Sequence, residues 1–230
     1  MDNEPLGPDS GRELRRSYHD RIADLREQAR LILHRAGLGT ERATDALLGE
    51  DPGAVTELRA DADAMQAVAG AVDEAVVNLL ATEAPVARDL RVILAARDVA
   101  QLGLLCSGLT VALAGRAGGI ADQLSPTLPG LIRHVGAATA ELLRLAETAW
   151  VGLDQETAIE VEARAAQVKH LHTGFMAALI GLNGVPMEAA MDLAMAARAY
   201  ERLADHSVET AERVLFAVGA AGLSGRLIGG

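Results

Sequence analysis

Aromatic residues are nearly missing from this chain: Phe, Trp and Tyr make up 2% of its 230 residues. A core without rings must be filled by aliphatic side chains and by close helix approach, and Ala, Leu, Val and Gly are abundant, which favours an all-α fold. Cysteine is as scarce. Cys106 is the single one, so no intramolecular disulfide can form, and its setting in LGLLCSGLTVALAG marks a buried inert thiol rather than a nucleophile. No Lys/Arg-rich run occurs and the formal net charge is −11; such a surface repels a phosphate backbone and argues against nucleic-acid binding. Long hydrophobic runs are lacking too. The stretch around Cys106 falls short of the roughly 20 apolar residues a bilayer span needs, and the N-terminal MDNEPLGPDSGRE has neither the basic nor the apolar region of a signal peptide, so no transmembrane segment and a cytoplasmic location are expected. No Glu-x-x-His occurs, which excludes a di-metal carboxylate oxidase built from such pairs on facing helices.

What is present is helical period. Between a few sharp breaks, GEDPGA at 49–54, TEAPVA at 82–87, RAGGIADQLSPTLPG at 116–130, GLDQE at 152–156 and GLNGVP at 181–186, apolar residues recur at three and four, as in Leu14, Tyr18, Ile22, Leu25 and Ala29. Six helices are predicted. Ser10, Asp51 with Pro52, and Asp154 are placed to cap the first, second and fifth, and Pro85 and Pro186 to open the third and sixth. Gly37 and Gly39 predict a kink in a first helix of about 40 residues. The segments divide into two triplets at the Gly/Pro-rich stretch 118–130, each with a long opening helix, a short acidic turn, a second helix and a third. Connections this short predict two tandem antiparallel three-helix bundles, repeats at 1–118 and 119–230, packed as one six-helix body.

In AYERLADHSVETAERV, residues 199–214, the acids Glu201, Asp205, Glu209 and Glu212 follow one another by four, four and three, which gathers them within about an 80° arc of one helix. Leu203, Ser207, Val208, Ala211, Val214, Leu215 and Val218 occupy another arc, facing the core. Two readings stay open. Arg198, Arg202 and Arg213 stand three or four residues from acids and allow ordinary exposed pairs worth ~0.3–0.5 kcal/mol each. Alternatively the carboxylates share a divalent or trivalent cation, with further ligands from elsewhere, since oxygen donors suit hard metals. His206 points about 100° further round and is expected to be structural or solvent-facing. His170 and His172, two apart, cannot share a helical face and are expected at the surface.

Four stretches, LRRSYHDRIADL (14–25), TERATDALLGED (40–51), NLLATEAPVARDLRVILAAR (78–97) and AYERLADHSVETAERVLFAVGA (199–220), resemble the PhoU family of bacterial phosphate-signalling regulators, over about residues 12–222. The corner APVARDLR and the signature YERLADHSVETAE are the most specific pieces. The resemblance implies paired three-helix bundles, usually dimeric, without enzymatic activity. It also implies association with the ATPase of a phosphate ABC transporter and with a sensor histidine kinase, silencing the starvation response when phosphate is plentiful, in the cytoplasm or peripherally at the inner membrane face through those partners. A repeated Glu/Asp-x-x-x-Asp motif of the family can bind iron or zinc clusters; it maps here to Glu201 and Asp205, with Glu209 where the family often has Asn. The chain departs from the family in its first half, where the matching positions are Leu104, Gly108 and Ala112, and on the fifth helix, where Lys169 and His170 replace expected acids. That departure keeps alive a divergent paralogue acting as a helical adaptor for another partner, and, more weakly, a carboxylate metal-binding protein. In the corner, Pro85 is expected to fix the helix start, Asp89 to complement the helix dipole and Arg91 to reach an acid. On the second helix Asp73 is expected near the third, and Tyr18 and Tyr200 are expected at bundle edges.

Overall fold

The computed structural model describes residues 8–116, 128–181 and 186–220. Within them lie six helices and no strand: α1 Pro8–Leu47, α2 Ala54–Glu83, α3 Ala87–Ala114, α4 Leu128–Gly152, α5 Gln155–Ile180 and α6 Met187–Val218. The helices α1, α2 and α3 pack against one another, as do α4, α5 and α6, and the two bundles join where α1 lies on α4 and α3 on α6. The centre is therefore a layer of α1, α3, α4 and α6, with α2 and α5 outside. The expected boundary between repeats, 118/119, falls outside the described residues.

The core shows what replaces rings. Ile32, Leu33, Ile93, Val99, Leu143, Leu193 and Leu203 are buried among many alanines, and the central helices approach closely. At Gly103 of α3 a Cβ would stand 2.9 Å from Ile32 Cγ2 and 3.0 Å from the Leu33 backbone nitrogen, so only glycine allows α1 and α3 this separation. At Gly136 of α4 a Cβ would meet Thr44 Oγ1 at 2.4 Å. Thr44 Oγ1 donates to Thr40 O at 2.8 Å and lies 2.8 Å from the Tyr200 hydroxyl. Tyr200 is thus fully buried between α1 and α6, not at a bundle edge as expected. Its two flat faces fill space that aliphatic residues leave, and Thr44 satisfies its hydroxyl.

Trp150 joins the bundles elsewhere. Its Nε1–H donates to Arg26 O at 3.0 Å, and Arg26 Nη2 donates back to Val151 O at 2.8 Å and Trp150 O at 3.4 Å. The guanidinium so satisfies carbonyls at the C-terminus of α4, where helix dipoles favour a cation. Beside it, Glu147 receives Arg30 Nη1 at 2.8 Å and lies 3.0 Å from His34 Nδ1.

Of the three expected side-chain caps one forms and two do not. Asp154 accepts from the backbone N–H of Glu156 at 3.1 Å and of Thr157 at 3.3 Å, and Pro186 immediately precedes α6. Asp51 instead binds Arg42, with Nη2 at 2.9 Å, and α2 begins at Ala54 behind Gly53, without a side-chain cap. An ion pair with the neighbouring helix outweighs the cap. The first helix starts at Pro8, which puts Ser10 inside it. At the corner, α3 opens at Ala87 two residues after Pro85, and Asp89 in its first turn accepts from the Tyr18 hydroxyl at 3.2 Å. Among the described residues Arg91 reaches no acid: its guanidinium lies at Gly219, where a Cβ would come within 3.0 Å of Nη2. Gly219 has φ +76 and caps α6, so the corner packs on the C-terminus of the last helix.

By length and composition alone α2 and α3 each contain a window apolar enough to cross a bilayer, longer than the stretch around Cys106 suggests. Both are bundle helices here, with buried residues from Leu58 to Leu79 and from Val92 to Ala114.

Candidate functional site

The acid stripe of α6 lies in a groove against α5. Glu201, Asp205, Glu209 and Glu212 rim it from α6, Glu162, Lys169 and His172 from α5, and Ala165, Ala204 and Val208 form the floor of a space of about 460 Å³. Small floor residues let water and solvated charge sit between the helices. Val208, expected in the core, is half-buried at this floor.

Each acid has its own circumstance. Glu201 is bound by Arg198, whose guanidinium holds its carboxyl below the usual carboxylate range, with His172 and Lys169 adding in the same direction. Glu209 Oε2 is 3.2 Å from His206 Nδ1. His206 is buried, so of the two expected roles it takes the structural one. Asp205 and Glu212 have no ion-pair partner among the described residues. Arg213 leaves the α6 acids and reaches across to Asp98 of α3 at 3.3 Å; Arg202 forms no ion pair among the described residues.

Spacing along α6 identified the stripe but not the α5 side of the groove. Lys169 and His172 enter it together, three residues apart, whereas His170 points outward. That i, i+3 relation was the available signal.

Do these residues fit a metal? Among the described residues no three His, Cys, Asp or Glu side chains converge closely enough to hold one. Glu201 and Glu209 are engaged by Arg198 and His206, and the Lys169 ammonium shares the groove. In this arrangement the set does not fit a resident cluster. The first-half positions supply no donors: Leu104 is half-buried, while Gly108 and Ala112 are exposed. Cys106 is fully buried, and burial pushes its thiol up to about 12, so it offers no thiolate at neutral pH. Asp73 does meet α3, taking Gln101 Nε2 at 3.2 Å and pairing with Arg97 at 3.0 Å.

Fold and groove together define an all-α protein of two tandem three-helix bundles, with a charged groove between its last two helices. The PhoU domain model matches residues 132–214. Over 210 residues the chain is 32% identical to the phosphate-specific transport system accessory protein PhoU homolog 2 of Mycobacterium tuberculosis, covering 88% of this chain and 97% of that one. Crystal structures of PhoU from Pseudomonas aeruginosa (TM-score 0.81, 22% identity, 88% of this chain and 99% of that one) and from Streptococcus pneumoniae (TM-score 0.74, 16% identity, 87% and 96%) share the fold. The chain belongs to the PhoU family.

Proposed function

We propose that this protein is a non-enzymatic regulator of phosphate uptake and phosphate-starvation signalling, acting by contact with the ATPase of a phosphate ABC transporter, a sensor histidine kinase, or both, and repressing the response when phosphate is plentiful. The observation that carries the reading is similarity along nearly the whole chain to a mycobacterial protein whose name is that of a phosphate-transport accessory protein. A helical body of this kind acts only by binding one conformation of its partner better than another, and a differential of about 1–3 kcal/mol is typical of such coupling. The protein works in the cytoplasm, peripheral to the membrane through its partners, as a duplicated unit of residues 1–118 and 119–230, and pairing of two copies belongs to the same reading.

The test is transcription of phosphate-regulated genes in high phosphate with the gene deleted. Derepression that the intact gene reverses is expected; repression that persists, in a strain with no second copy, overturns the reading in favour of an adaptor for another partner.

A second reading concerns Glu201, Asp205 and Glu209, which share one groove with Glu162 and His172. Iron or zinc there would require Glu201 to leave Arg198 and Glu209 to leave His206. Metal analysis of the purified protein decides it: bound metal that Asp205→Ala removes supports the site, and a metal-free protein after loading refutes it.

A further inference from the structure

The first half of α6 carries an exposed line of methionines. Met187, Met191 and Met195 are 76%, 62% and 51% exposed in a protein whose other helices keep most large apolar side chains inside. Four-residue steps place all three on one side of the helix. The charges on this side are ordered: Glu188 and Asp192 come before Met195, Arg198 and Arg202 after it. Glu188 and Arg202 stand seven residues to either side of Met195, a spacing that returns to nearly the same face. Both are exposed, and neither has an ion-pair partner among the described residues.

We propose that this face of α6 docks a second copy of the same chain, the two α6 helices crossing antiparallel about a two-fold axis at Met195. In an isologous contact residue i meets j and j meets i. With Met195 on the axis, Glu188 of each copy faces Arg202 of the other, so the two unpaired charges are satisfied twice, while Asp192 and Arg198 are already held within each chain by Arg116 and Glu201. A chain with net charge −11 repels its own copy over most of its surface. On this face Glu188 and Arg202 carry the unpaired charge, and the pair is complementary to itself reversed. The adjoining strip of α3 removes a further obstacle. Leu105, Gly108 and Ala112 are exposed and uncharged, and the Arg202 charge acts on Cys106 next to Leu105, which sets that strip beside the proposed seam. Methionine suits such a seam, being flexible and polarisable. The proposal rests on the paired-copy part of the reading above and gives it a surface.

The experiment uses the full chain. Met195→Cys should form a disulfide-linked dimer under mild oxidation, because a residue on a two-fold axis meets its own counterpart, while the still more accessible Val77→Cys on α2 stays monomeric; buried Cys106 does not compete. By sedimentation, Glu188→Arg or Arg202→Glu alone should weaken association about tenfold, since each turns two attractive pairs repulsive, and Glu188→Arg with Arg202→Glu should restore it. Thermal melting identifies a variant that has simply failed to fold, and Glu188, on an exposed first turn, supplies the safer single change. A dimer indifferent to these charges, or Met195→Cys that links no better than Val77→Cys, overturns this surface and leaves pairing through another. A monomer at all concentrations overturns both.

Discussion

Gly136 and Thr44 meet closely enough that one methyl group tests the packing. A Cβ at position 136 would stand 2.4 Å from Thr44 Oγ1, and Thr44 can yield only by giving up its bonds to Thr40 and Tyr200. Gly136→Ala should therefore lower stability by about 1–3 kcal/mol in urea unfolding despite alanine's better helix propensity; a neutral or stabilising result would show that α1 and α4 separate easily. Tyr200 adds a pH test. Burial pushes its phenol above the usual range, so the neutral form is favoured in the native state. The sign follows: its contribution is complete below the unfolded value of about 10 and is lost as pH rises toward the higher folded value. The melting temperature of the native protein should fall more steeply above pH ~10 than that of Tyr200→Phe, which itself costs about 1 kcal/mol at neutral pH for the lost hydrogen bond. Equal slopes would mean the phenol is solvated. Neither residue's place could be read from sequence: Tyr200 sits next to the acid stripe, and only the cross-helix register with Thr44 shows that it turns inward.

At the scale of the helix, local chemistry was legible where nothing distant competed. Asp154 caps α5 as its position predicts, and the side-chain bond from Thr157 with the Glu156 and Thr157 N–H groups holds its carboxyl below the usual value. Asp154→Ala should speed amide exchange at Glu156 and Thr157, whereas Asp154→Asn, which keeps an acceptor oxygen, should preserve most of the protection. Because the folded value is depressed, the native protein should lose that protection as pH falls through it, and Asp154→Asn should not. Exchange that ignores all three conditions would mean the first turn is held by packing alone. Asp51 looked equally good as a cap and is not one, because Arg42, nine residues back on α1, claims its carboxylate. The stripe on α6 has the same lesson. Its acids were legible as a line, since spacing alone sets a helical face, but Lys169 and His172 reach them from α5 across a register that no single helix encodes.

The whole molecule depends on how α1, α3, α4 and α6 share one core. Each bundle lends two helices to that layer, and the locks across it are specific: Thr44 with Tyr200, Trp150 with Arg26, Arg30 with Glu147, Arg116 with Asp192 at 3.1 Å and Arg213 with Asp98. A bundle parted from its neighbour would expose the Gly136-lined seam between α1 and α4 and leave the Tyr200 hydroxyl and the Trp150 N–H without their partners, at a cost of about 1–3 kcal/mol for each buried polar group so orphaned. The chain should accordingly unfold as one unit, with calorimetric and van't Hoff enthalpies in agreement. A protease site placed within residues 117–127 separates covalent from physical connection: after cutting, the two pieces should still elute together and melt in a single transition, held by the packing of α1 on α4 and of α3 on α6. Pieces that part and melt independently would show that the central layer is an interface between two autonomous domains, and signals arriving at one bundle would then have no packed route to the other.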